Sequence, residues 1–118
     1  MEPNSATAYV RLGVANSVVN MHKKASEFYE QALMLDPHYP NLRYLMAVSY
    51  YGSNQYNESI ALLEEEISQN KTSSEAHHIL GLIYLKQGIY KEAISHLQKA
   101  LTINPNLLKQ DSPKKGKI

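Results

Sequence analysis

Five histidines are the side chains best suited to chemistry in this chain: the adjacent pair His77-His78, with His22, His38 and His96 elsewhere. A neutral imidazole is a good base and a good metal ligand near pH 7. Metal sites on a helix use His at i, i+4 with further ligands, as in H-E-x-x-H, whereas adjacent helical residues point about 100° apart. The pair therefore predicts no metal site. Glu64-Glu65-Glu66 is splayed in the same way, a solvated face rather than two carboxylates flanking a cleft. With no cysteine there is no thiol nucleophile, disulfide or thiolate zinc site. Asn57-Glu58-Ser59 and Asn70-Lys71-Thr72 fit the glycosylation sequon, but no secretory signal accompanies them and both read as chance matches. P-loops, nucleophile elbows and dinucleotide fingerprints are absent from the sequence. The expectation is a chain that is not an enzyme and takes no cofactor.

The elements that position these residues belong to a chain of 118 residues and 13.4 kDa, the size of one small domain. Its net charge of +1 divides into +3 on residues 109–118 and −2 on the rest. Such a body offers no basic face for nucleic acid. No apolar run reaches the ~18 residues of a membrane span, and Met-Glu-Pro-Asn is not the start of a signal peptide. A cytoplasmic protein without membrane insertion is expected.

Self-similarity organises the whole chain. Gly13 and Gly81 lie 68 residues apart, as do Ala25 and Ala93, Ala32 and Ala100, and Pro37 and Pro105. Midway, offset by 34, stand Ala47, Ser59 and Leu63. The period gives three copies, 6–39, 40–73 and 74–107, after a leader 1–5 and before a basic tail 108–118. Each copy holds two amphipathic runs of helical length: 6–19 and 22–35, 40–53 and 56–69, 74–87 and 90–103. Asn20, Asn54 and Gly88 break the pairs, since Asn and Gly tolerate the left-handed conformation just past a helix end. Gly13 with Ala25, Ala47 with Ser59, and Gly81 with Ala93 are small residues where two helices must cross closely.

A 34-residue helical hairpin with His77-x2-Leu80-Gly81-x2-Tyr84, then Ala93-x3-Leu97, Ala100 and Pro105 resembles the tetratricopeptide repeat (TPR). The resemblance implies an all-α solenoid, three helix-turn-helix hairpins forming a right-handed superhelical segment. It also implies that the first helix of each unit lines a concave groove, and that His77, at the family's Trp position, packs inside. The implied groove residues are Val10, Val14, Tyr44, Val48, Tyr51, His78, Leu82 and Leu85, with Thr7, Arg11, Asn41, Glu75 and Lys86 at the rim. Such an apolar and aromatic stripe suits a peptide or helix. Co-chaperone repeats that grip the C-terminal carboxylate of heat-shock chaperones place Lys, Asn and Arg where this chain has Val10, Val14, Leu45, Glu75 and Ile79. Those tails are not expected ligands.

Two functions fit: a scaffold or adaptor holding an apolar peptide or helix within a longer array or larger assembly, or a small chaperone, similar to secretion chaperones, shielding a client's apolar segment. Glu2-Pro3-Asn4 repeats the register of Asp36-Pro37-His38 and reads as the end of a preceding unit. The basic tail replaces the usual polar capping helix, leaving Ile94, Leu97 and Leu101 for a homodimer contact through the C-terminal repeat. The second copy departs from the pattern, with Glu66 for Ala and Lys71 for Pro. Either the helix end is solvated there or the joint between copies two and three is looser. A looser joint predicts that amides 64–73 exchange with deuterium faster than amides 96–103; equal protection sinks it.

Overall fold

The computed structural model describes residues 5–70 and 73–107, and every regular element among them is a helix. The order is α1 (Ala6–Val18), α2 (His22–Leu35), α3 (Leu42–Gly52), α4 (Tyr56–Gln69), α5 (Ser74–Gln87) and α6 (Tyr90–Ile103). Each of the spans 6–39, 40–73 and 74–107 contains one helix pair. The leader and tail, residue 5 and its Ser5 cap excepted, lie outside the described residues, as does Lys71.

One backbone device closes each pair. Asn20, Asn54 and Gly88 take positive φ of 65°, 64° and 77°. The next residue's N–H then reaches back five: Met21 to the Asn16 carbonyl at 2.8 Å, Gln55 to Tyr50 at 2.8 Å and Ile89 to Tyr84 at 2.9 Å. Each left-handed residue itself donates to the carbonyl three earlier, Ser17, Tyr51 and Leu85. This paired pattern satisfies the last carbonyls of the first helix, and the second helix begins immediately. The first helices of pairs one and three are opened by serine. Ser5 Oγ accepts from the Ala8 N–H at 3.4 Å and Ser73 Oγ from the Ala76 N–H at 3.2 Å.

α3 starts two residues later than the periodicity predicts. Pro40 disfavours helical geometry at Tyr39, and Asn41 sits at φ 62°, so the helix starts at Leu42. Past α2 and α6 the chain turns the same way twice. Asp36 Oδ1 accepts the His38 N–H and Asn104 Oδ1 the Asn106 N–H, both at 3.1 Å, around the exposed Pro37 and Pro105.

The small residues lie where the helices cross. Ala25, Ala32, Ala47, Ser59, Ala93 and Ala100 are buried. Ser59 occupies an alanine position without penalty because its hydroxyl donates to the Ala47 carbonyl at 2.8 Å. The glycines are covered by the residue one turn beyond the partner alanine. A Cβ on Gly13 would stand 2.6 Å from Tyr29 Cδ1, and one on Gly81 would stand 2.5 Å from Leu97 Cγ. Gly52 is a third such place, where an added Cβ would stand 2.6 Å from the His22 ring.

The chain divides into two compact units, Met1–Glu65 and Glu66–Ile118, the boundary falling inside α4. In the first, Val10, Ala25, Tyr29, Ala32, Leu42 and Met46 form the core, flanked by half-buried Tyr9, Leu45, Tyr50 and Leu62. Tyr50 ties α3 to α2 by donating to Glu30 Oε2 at 2.8 Å; burial, then this carboxylate, push its pKa up to about 12. Glu64 and Glu65 are exposed, Glu66 half-buried, and Glu65 pairs with Arg43 at 3.3 Å. In the second unit, α5 buries Ala76, Ile79, Leu80 and Ile83, and α6 buries Ala93 and Ala100.

Replacing glycine by alanine inside a helix ordinarily gains about 1 kcal/mol of propensity. At Gly13 and Gly81 the added methyl forces the buried Tyr29 ring or the half-buried Leu97 side chain aside, costing about 1–3 kcal/mol. Gly13→Ala is therefore expected to be neutral or destabilising and Gly81→Leu to disrupt the α5–α6 hairpin. Urea denaturation followed by circular dichroism checks both, and a clear gain in midpoint for either refutes the crossing account.

Candidate functional site

The positions that the repeat resemblance assigns to a groove fall on the first helix of each pair, apart from Asn41 just before α3. On α3, Tyr44, Val48 and Tyr51 recur at i, i+4, i+7 and are all half-buried, one apolar stripe along the helix. The Tyr51 ring rests against Tyr56 of α4, centroids 6.0 Å apart, and the Tyr56 hydroxyl donates to Asn54 Oδ1 at 3.0 Å. The Tyr56 ring thus braces Tyr51 from α4. On α1, Val14 is exposed, with Thr7 and Arg11 on the same helix. Thr7 Oγ1 accepts from the Tyr39 hydroxyl at 3.2 Å, and Asn41 is exposed in the left-handed turn before α3.

Val10 is the correction. Only 7% exposed, it is a core residue rather than a groove residue, because α1 leans on α3 here and Val10 packs with Leu42 and Met46. That leaves Val14, Tyr44, Val48 and Tyr51 as the apolar groove candidates of the first unit.

In the second unit, His78, Leu82 and Leu85 repeat the spacing on α5: the first two half-buried, Leu85 exposed, with exposed Glu75 and Lys86 near the ends. His77 packs inside, as its repeat position implies, at 5% exposure. There it meets His96 of α6. The two Nδ1 atoms are 3.0 Å apart and the rings stack with centroids at 5.2 Å, while Tyr84 also stacks with His96, centroids 5.8 Å apart. One imidazole donates and the other accepts, so the contact requires at least one unprotonated Nδ1. Burial, then Lys99, hold the His96 pKa below the ordinary histidine value, against an opposing effect of Glu92. No group of three or more metal-ligating side chains occurs among the described residues.

Two concavities lie away from the groove positions, and neither was visible in the repeat pattern. One of about 560 Å³ is lined by Met21, His22, Lys23, Lys24, Glu27 and Gly52, among others, where α2 begins. The other, of about 330 Å³, lies along α6, with Ser95, Gln98, Lys99 and Thr102 around His77. Both are open depressions whose lining carries no triad, carboxylate pair or phosphate-cradling loop. None of the helices searched among the described residues is long and apolar enough to cross a membrane.

Residues 19–100 match the family described as anaphase-promoting complex, cyclosome, subunit 3. Among curated proteins, the chain is similar to anaphase-promoting complex subunit 3 of Schizosaccharomyces pombe, 29% identical over 88% of this chain and 16% of that one. Among solved structures it superposes on MamA with TM-score 0.79 and 27% identity, covering 92% of this chain and 63% of the other. It also superposes on the TPR domain of Sgt2 from Aspergillus fumigatus with TM-score 0.78 and 25% identity, covering 89% and 69%. The chain therefore has the TPR fold and spans less than a fifth of its S. pombe relative.

The histidine pair sets a pH dependence of stability. A folded-state pKa below the unfolded value of ~6.5 means that the unfolded chain takes up the proton first as pH falls. The stability of the second unit is thus fully present above ~6.5 and declines below it. Thermal melting is expected to show a lower midpoint at pH 5.5 than at 7.5, with a smaller drop in His96→Gln. An equal drop in both proteins refutes the assignment.

Proposed function

The chain belongs to the anaphase-promoting complex subunit 3 family, and from that membership and the site geometry we propose that it is a non-catalytic interaction module holding an apolar peptide or helix within a larger assembly. The observation that carries the reading is the stripe Tyr44, Val48 and Tyr51 on α3. Helix pairing in the first unit is served by Ala47, Ser59 and the core around Tyr29, and the three half-buried stripe residues stand outside that core cluster. Two tyrosines flanking a valine supply wide, stiff contact area and hydroxyls that tolerate water until a partner docks. The α5 stripe of His78, Leu82 and Leu85 offers the second unit a similar face, edged by charges of both signs at Glu75 and Lys86.

A role inside an assembly is supported by the relatives: the S. pombe protein is by name a subunit of a complex, and so is subunit 7 of Arabidopsis thaliana, 28% identical over 97% of this chain. The mildly acidic body supports selection by apolar contact rather than by charge. These features favour a binding module over a nucleic-acid reader or an enzyme.

Affinity capture with the intact chain, run beside Tyr51→Ala and Leu82→Ala, tests the reading. Each truncation removes an anchor at about 2 kcal/mol, so captured partners should bind roughly thirtyfold more weakly while helicity is unchanged. Partners held equally by the wild type and both variants would overturn the stripe as the binding face.

A further inference from the structure

We draw no further inference here: the strongest candidate, the cavity beside Lys23 and Lys24 where α2 begins, is a helix N-terminus edged by exposed lysines, and nothing else in the structure points to a ligand there.

Discussion

Everything in this molecule depends on how closely the two helices of a hairpin approach. At Gly13, Ala47 and Gly81 one helix presents almost no side chain, and the partner answers with Tyr29, Ser59 or Leu97. Dispersion contacts across so short a gap are numerous, and a single added methyl must displace a buried ring or an isobutyl group. These crossings and the cores beside them hold each pair together, and the α3 stripe of Tyr44, Val48 and Tyr51 lies outside that core cluster.

Much of this was legible in the sequence because the period repeats the same physical problem three times. Small residues 68 apart identify the crossings, and Asn20, Asn54 and Gly88 identify the turns with their left-handed backbone. What was not legible depended on neighbours that a single helix does not reveal. Val10 occupies a groove register position, yet α3 comes near enough to enclose it beside Leu42 and Met46. The start of α3 was misplaced because Pro40 and Asn41 fit a helical rhythm by position while their backbone preferences oppose it. The contact between Gly52 and His22 has no counterpart in the repeat pattern.

The histidines show the same division. Adjacency of His77 and His78 along the chain is without chemical meaning, and the two side chains serve different surroundings. The meaningful partner of His77 is His96, nineteen residues away, reached only because α5 and α6 fold back on each other. Two imidazoles sharing one proton in a half-buried contact replace the large aromatic ring that the repeat usually carries at that place. The substitution exchanges a pH-independent packing contact for one that responds to protons.

The hairpin turns have a consequence for how the chain reaches this structure. Each is closed by hydrogen bonds spanning three and five residues, and each brings together two helices adjacent in sequence. Contacts that local cost little loop entropy, and chains dominated by them fold fast. Nucleation has three equivalent starting points, none waiting on a distant segment. A ribosome releasing this chain exposes a complete hairpin roughly every 34 residues, so little apolar surface need wait for a partner that has not yet been made.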